Sequence, residues 1–557
     1  MLRLLPRIKP GRQSIPARTT RWQGKSISQP HQSYPKDLSK RYYSVESSSS
    51  RSESAGWSRA IIAAFVASVV TGSVIYSIGQ SNHESKDKKK PQYATLGEMK
   101  TAIREINQEL GEDSISTDDE DLKMHGYPEW SSVNIDRLPV AVAFPKSTAE
   151  VATIARVCHK YKVPMIPYSG GSSVEGHFAA AFGGVSVDFL NMSEVVAFHP
   201  EDMDIIVQPS VSWMEMNENI KSSGLFFPID PGPPAKIGGM IATNCSGTNA
   251  VRYGTMKDWV VNLTVVLPDG RIIKTRKRPR KSSAGYNLNG LFTGSEGTLG
   301  FVTEATLKLA HIPQESGVGM TTFKTMRDAA NAATQIVRQG IPVGAVELLD
   351  DVQMDVINKM GATGRVWKTL PTLFLKFSGT KLGVQDNIEG VRKIVNENKG
   401  SELEVEQDKA KQAVLWSARK EALWSMLCMR ESGHEVWSTD VAVPLSRLPD
   451  LVEISKRDLD KLGLFGSMLG HVGDGNFHET ILFNGAEERE LVSKCVHDMV
   501  HRAIEMEGTC TGEHGIGLGK KEFMEKEVGE GSLSVMRGIK LSLDPFWLMN
   551  PGKVFDP

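Results

Sequence analysis

Apolar positions along this chain repeat with two different periods, and the points where the period changes mark its elements. PVAVAF (Pro139–Phe144) is a continuous apolar run and predicts a buried strand. Ser147 and Glu150 then have the spacing of a helix-capping box, with Glu150 reaching back to the cap. Val151, Ile154, Ala155, Val157 and Cys158 follow as a stripe at helical spacing, which must stop before Pro164. VPMIPY is a second short buried strand, so the segment reads as a β-α-β unit running into a glycine-rich loop, PYSGGSSVEGH (Pro167–His177). Further on, VVNLTVVLPDG and RIIKT predict a hairpin turned at Asp269-Gly270. Beyond residue 315, strands (VGMTTF, PTLFLKFSG) alternate with helices (MRDAANAATQIVRQG, VQDNIEGVRKIVNEN), the order expected of an α+β domain with an antiparallel sheet. A chain of 557 residues exceeds what one core usually serves. Two globular units are expected, 96–312 and 313–557, with no tandem repeat of 20 to 50 residues.

The front of the chain follows neither pattern. From Arg3 to Arg41 it carries ten Lys or Arg against one acid, Asp37, with frequent Ser and Thr, which is the composition of a mitochondrial transit peptide. AIIAAFVASVVTGSVIYSIG (60–79) then has no charge and is long enough to cross a bilayer as a helix. The expectation is a basic targeting lead over 1–59, a transmembrane helix over 60–79 and a polar linker over 80–95. The expected location is the inner mitochondrial membrane, with the catalytic part in the intermembrane space and retention on the matrix side as the alternative. The net charge of −1 gives no reason to expect a nucleic-acid partner. Five scattered cysteines without C-x-x-C spacing exclude a zinc ribbon or iron–sulfur motif and read as small buried apolar residues.

Chemistry concentrates in glycine-rich stretches. Ser169-Gly170-Gly171-Ser172 fits neither dinucleotide fingerprint nor P-loop. Bare glycines still let consecutive N–H groups converge on an anion. Similar stretches at Asp230–Gly254 and Leu291–Leu309 suit a long diphosphate ligand laid across several loops. In GSMLGHVGDGNFHET (Gly466–Thr480), turn residues between two apolar runs predict a hairpin. Pairing Val472 with Phe477 would set His471 opposite His478, close enough to chelate a divalent cation. Single histidines are more often structural, so this reading needs a third ligand. Glu513, in TCTGEHGIGLGKK, completes a two-imidazole, one-carboxylate set suited to Zn²⁺ or Mn²⁺, and the adjacent His514 is then free for proton transfer.

Taken in order, SGGSSVEGH, IGGMIATNCSGTNAVRYG, GSEGTLGFVTEATL, HVGDGNFH, GEHGIG and NPGKVFDP resemble the motifs of FAD-linked oxidases of the vanillyl-alcohol-oxidase type, over roughly residues 96–557. The resemblance implies a two-part FAD-binding domain followed by a substrate-capping α+β domain. It implies that Ser169, Gly170, Gly171 and Ser172, then Gly238, Gly239, Asn244, Gly247 and Gly254, then Glu296, Gly297, Gly300 and Val302, with Asn550, hold FAD. Ser172 stands where covalent relatives carry a flavin-linking histidine, so non-covalent FAD is expected. The resemblance also implies that His471, His478 and Glu513 are metal ligands, that His514 is the acid/base, and that Arg419 in WSARKEALW grips a substrate carboxylate. Trp416 and Trp424 beside it read as core. The activity implied is oxidation of a small D-2-hydroxy acid, D-lactate first and D-2-hydroxyglutarate or glycolate as alternatives, with cytochrome c as electron acceptor.

Overall fold

The computed structural model describes residues 90–128 and 130–557; the basic lead and the apolar stretch 60–79 lie outside the described residues, as does most of the 80–95 linker. Among the described residues no helix is long and apolar enough to cross a membrane.

The described chain opens with α1 (Leu96–Leu110), capped by Thr95 and Glu98 in a reciprocal box. A four-stranded sheet follows, made of β1 (Ile115–Ser116), β2 (Ala141–Ala143), β3 (Met165–Tyr168) and β4 (Val185–Asp188) in the order β1-β2-β4-β3. The expected β-α-β unit is present, with α2 (Thr148–Tyr161) between β2 and β3. Its two strands are not neighbours, because β4 inserts between them and pairs in parallel with both. Ser147 Oγ accepts from Glu150 N–H at 3.2 Å, a cap worth about 1 kcal/mol. Glu150 does not return that bond to Ser147; its carboxylate accepts from Lys146 N–H at 2.8 Å. All five stripe residues of α2 are buried.

A five-stranded antiparallel sheet comes next: β5 (Val195–His199), β6 (Asp204–Val207), β7 (Val260–Val266), β8 (Ile272–Lys274) and β9 (Phe301–Lys308), ordered β5-β6-β9-β7-β8. The β7–β8 hairpin closes through Leu267 N–H to Arg271 C=O at 2.8 Å, as Asp269-Gly270 predicts. Between β6 and β7, the short helix α3 (Ile237–Thr243) carries the second glycine stretch.

From Glu315 onward the chain builds an eight-stranded antiparallel sheet. Its strands are β10 (Glu315–Thr322), β11 (Ala345–Leu349), β12 (Thr372–Gly379), β13 (Glu404–Glu406), β14 (His434–Ser438), β15 (Val441–Ala442), β16 (Phe465–Gly470) and β17 (Asn476–Asn484). The order is β13-β10-β12-β11-β16-β17-β14, with β15 pairing on β17. One face packs on α4 (Met326–Arg338), α5 (Lys381–Glu397), α7 (Leu448–Leu462) and α8 (Gly485–Glu505), and α6 (Lys409–Cys428) lies against the other through Leu415, Ala418 and Ala422. After α9 (Met524–Leu543) the C-terminal segment does not stay with this unit. Leu548 and Met549 join the core around α1 and α2, and Met165 N–H bonds to Leu548 C=O at 2.7 Å.

Of the five cysteines, Cys158, Cys245 and Cys510 are buried, whereas Cys428 is exposed and Cys495 half-buried. The expectation of five buried thiols fails for the last two because they lie on helix flanks facing solvent.

Glu479 on β17 is buried on the helix-packed face beside Phe477 and Ile481, and neither carboxylate oxygen finds a partner. Burial pushes this carboxyl up to about 8 against the opposing pull of Arg502. The folded state thus holds a proton that the unfolded state releases above about 4.5. Stability is complete below that value and falls as pH rises towards 8, by roughly 1.4 kcal/mol per pH unit. Glu479→Gln should flatten this slope, so denaturant titrations at pH 5 and pH 8 should differ less for the variant than for the wild type. An unchanged slope would mean that the carboxyl is ionised in the fold.

Candidate active site

A cavity of about 530 Å³ lies where the first two sheets meet the large one. The three glycine-rich stretches form one side of it and the large sheet with α6 forms the other. Gly171 (φ +60°) has the hydroxyl of Tyr168 where a Cβ would sit, and Gly297 (φ +68°) has the Pro167 ring there. Any side chain at either position would displace the loop, so backbone rather than side chains faces the cavity.

Of the residues expected to hold FAD, Ser169, Gly170, Gly171, Ser172, Gly238, Gly239, Gly247, Glu296, Gly297, Gly300, Val302 and Asn550 line this cavity. Asn244 and Gly254 do not. Asn244 closes α3 in a left-handed conformation, and its Oδ1 accepts from Lys257 N–H at 2.9 Å and Thr255 Oγ at 3.2 Å. Gly254 (φ +75°) sits against the Asp258 carboxylate. Both residues shape a turn, the ordinary work of Asn and Gly, rather than facing the cavity.

Glu296 and Asn550 line the cavity yet spend their polar atoms on joining chain segments far apart in sequence. The Glu296 carboxylate accepts from Ile516 N–H and Gly517 N–H, each at 2.7 Å, and lies 3.0 Å from His177 Nε2. Burial would raise its pKa, but His177 and the two amides outweigh that and hold it below the usual carboxylate range. Asn550 Nδ2 donates to the carbonyls of His177 (3.0 Å) and Glu296 (2.8 Å).

The opposite wall brings the expected metal ligands together, by a register different from the one expected. β16 and β17 pair Leu469 with His478, so His471 is diagonal to His478 rather than opposite it. The slip is two residues, and a strand's side chains alternate with period two, so both imidazoles stay on one face. Their ring centroids are 5.7 Å apart. Glu513 reaches them from the loop after α8: its Oε1 is 3.1 Å from His471 Nε2 and 3.5 Å from His478 Nε2. His478 Nδ1 lies 2.9 Å from Thr439 C=O, which can only accept, so that nitrogen donates and Nε2 is the atom turned to Glu513. Burial pulls the His471 pKa down, but Glu347 and Glu513 outweigh it and raise the group well above its ordinary value. Left to itself this cluster takes up a proton between its carboxylates; a divalent cation would supply the same positive charge, so the donor set fits one.

His514 follows Glu513 and stacks on His478, with centroids 5.0 Å apart and planes 19° apart. Its Nδ1 is buried without a hydrogen-bond partner. Burial pushes its pKa down to about 4 despite the nearby Asp440 carboxylate, so at neutral pH the ring is uncharged and able to accept a proton.

Arg419 on α6 also lines the cavity, and its Nε donates to Glu347 Oε2 at 2.7 Å. Trp416 and Trp424, expected in the core, both line the cavity; Trp416 also packs against the core beside α6, whereas Trp424 is half exposed. The α6 face that presents Arg419 is turned to the cavity, and an apolar cavity wall carries the same periodicity as a core.

Three groups in this cluster were not singled out from the sequence. Glu347 joins Arg419 to His471, whose Nδ1 is 2.8 Å from Glu347 Oε1. Asp440 clasps the Glu513 loop: its Oδ2 accepts from Glu513 N–H (2.9 Å), His514 N–H (2.8 Å) and Thr511 Oγ (2.7 Å). Ser246, from the second glycine stretch, donates to Glu513 Oε2 at 2.6 Å. For Glu347 and Asp440 the only signal in the sequence was a lone acid within an apolar run, as in GAVELL and STDVAV, and Ser246 gave none.

Comparison with known proteins identifies both halves of the chain. Residues 139–276 match the FAD binding domain model and residues 312–554 match the C-terminal domain of FAD linked oxidases. A mitochondrial D-lactate dehydrogenase [cytochrome] from Arabidopsis thaliana is 46% identical over 83% of this chain and 82% of its own length. The mitochondrial D-lactate dehydrogenase [cytochrome] 1 of Saccharomyces cerevisiae is 43% identical over 81% and 79%. Among solved structures, p-cresol methylhydroxylase superposes with a TM-score of 0.67 at 17% identity, covering 84% of this chain and 99% of that one, a likeness of fold. With both domain models matched in order and close relatives along most of its length, this chain belongs to the family of FAD-linked oxidases and is an FAD-dependent enzyme.

Proposed function

We propose that this enzyme oxidises D-lactate to pyruvate and passes the electrons to cytochrome c. It works in mitochondria at the inner membrane, anchored by residues 60–79, with its catalytic part in the intermembrane space. The observation that carries the reading is the convergence of three donors able to hold a cation, an uncharged, half-buried imidazole and an arginine on the cavity lined by the glycine-rich loops. The names and identities of the mitochondrial relatives support the substrate and the acceptor.

In the mechanism, Ser169 to Ser172, Gly238, Gly239, Gly247 and the Glu296–Val302 segment form the cradle for FAD, while His471, His478 and Glu513 hold a zinc or manganese ion. When bound, the flavin supplies a two-electron acceptor and the cation a Lewis acid for the 2-hydroxyl oxygen. Arg419 binds the substrate carboxylate: Glu347 occupies its Nε, which leaves the N–H groups on both Nη atoms for paired bonds. His514 takes the hydroxyl proton at Nδ1, the atom left without a partner. Trp416, Leu423 and Trp424, with Arg419 on the same helix, line the cavity, a largely apolar wall that suits a methyl group on the substrate. Asp440 fixes the loop that carries both Glu513 and His514.

Anaerobic titration of the purified protein tests the assignment. D-lactate should bleach the flavin absorption, L-lactate should not, and oxidised cytochrome c should then restore the colour. Bleaching by D-2-hydroxyglutarate or glycolate at much lower concentration than by D-lactate would displace D-lactate as the substrate.

A further inference from the structure

The carboxylate of Glu347 connects two parts of this site that act on different ends of a substrate. Glu347 is on β11, an interior strand between β12 and β16, and is 1% exposed. The β11–β16 register pairs Leu348 with Gly470 and Leu349 with Leu469. Continued by one residue, it sets Glu347 opposite His471, on the cavity side of the sheet. Its neighbours Val346 and Leu348 belong to the opposite, helix-packed core. One oxygen meets His471 Nδ1 at 2.8 Å and the other meets Arg419 Nε at 2.7 Å. A buried acid in an interior strand is costly unless paired, and both of its pairs lead into the active site.

We propose that Glu347 is a positioning residue that tunes cation affinity and substrate-carboxylate affinity through one side chain. The inference rests on the metal and substrate roles proposed above and deepens them. By accepting from His471 Nδ1, Glu347 fixes the plane of the imidazole and turns Nε2 to Glu513 and His478. Such outer carboxylates commonly set metal affinity by factors of roughly 10 to 100. By taking Nε of Arg419, the same carboxylate orients the plane of the guanidinium, so that its other edge is presented to substrate. A cation and a substrate carboxylate should therefore be weakened together by one change at residue 347, although neither touches it.

The test uses the full-length, FAD-loaded chain and two variants, Glu347→Gln and Glu347→Asp. Glutamine keeps the shape but removes the charge and one acceptor; aspartate keeps the charge but cannot span both partners. Metal content is measured by mass spectrometry after dialysis against graded chelator, and KM and kcat for D-lactate after metal is restored in excess. In Glu347→Gln, half of the metal should be lost at a roughly 10- to 100-fold lower chelator concentration. KM should rise about tenfold with bound FAD unchanged, and Glu347→Asp should recover part of one property without both. If glutamine prevents folding, the aspartate variant alone decides. A merely structural carboxylate would lower the melting temperature while metal retention and KM of the folded variant stay within about twofold of wild type, and that result overturns the proposal. A wild-type chain that holds no divalent metal would overturn the metal reading itself, a distinguishable failure because it needs no variant.

Discussion

Replacing His471 by alanine is expected to abolish D-lactate oxidation while leaving FAD bound. The imidazole contributes one of three donors within reach of a shared point, and the remaining His478–Glu513 pair is a poorer chelate. Lewis-acid assistance is worth several kcal/mol of the barrier, so turnover should fall on the order of a thousandfold or more. The flavin should remain because the cradle proposed for it, Ser169–Ser172, Gly238–Gly239 and Gly297, lies on the other side of the cavity. Absorption spectra, metal analysis and steady-state rates on the same preparation measure the three quantities. Chelating the wild type should reproduce the variant, and adding zinc or manganese back should rescue the wild type alone. Near-normal rates in rigorously chelated wild type would remove the cation from the chemistry.

Replacing His514 by glutamine should cost almost as much by a different route. A positioned general base contributes roughly 10² to 10⁴ in rate, and Gln fills much of the same space without a basic nitrogen. Metal and FAD contents should both stay at wild-type levels, which separates this variant from His471→Ala. The wild-type imidazole, pushed down to about 4, is neutral and competent above that pH. Activity should fall as pH drops through about 4, or lower with a cation bound nearby, and this limb should vanish in the variant. Stability moves in the same direction: a histidine with a depressed pKa contributes fully above its unfolded value and loses that contribution as pH falls from about 6.5 towards 4. Rates should be divided by the folded fraction before the profiles are compared. A variant with the wild-type rate would assign the proton to another group.

The expected α+β organisation and its FAD-oxidase fold are what the structure and the comparisons show, and the reasons are local. The stripe in α2, the Ser147 cap and the Asp269-Gly270 turn each involve residues within a few positions of one another, so their physics is written in the chain. The glycine loops were legible for the same reason. A run of residues without side chains can serve close approach or a turn, and twelve of the fourteen expected residues do line the cavity. Asn244 and Gly254 fall outside because the same residue types also build plain turns, and composition does not separate the two uses.

The sequence by itself determined that His471 and His478 share a sheet face, since alternation along a strand survives a register slip of two residues. It also supplied Glu513 and His514 as adjacent candidates on a loop able to approach them closely. It could not determine what surrounds them. Glu347 meets His471 across 124 positions, Asp440 meets His514 across 74, and Ser246 meets Glu513 across 267. Those pairings depend on strand order in the large sheet and on how the smaller sheets close over the cavity, and no periodicity in the chain records either. The same holds for Trp416 and Trp424, whose helical spacing is identical for a core and for a cavity wall until the neighbouring sheet is in place. Local patterning specifies the donors; their partners, their charge state and the side chain that links them come from tertiary contacts alone.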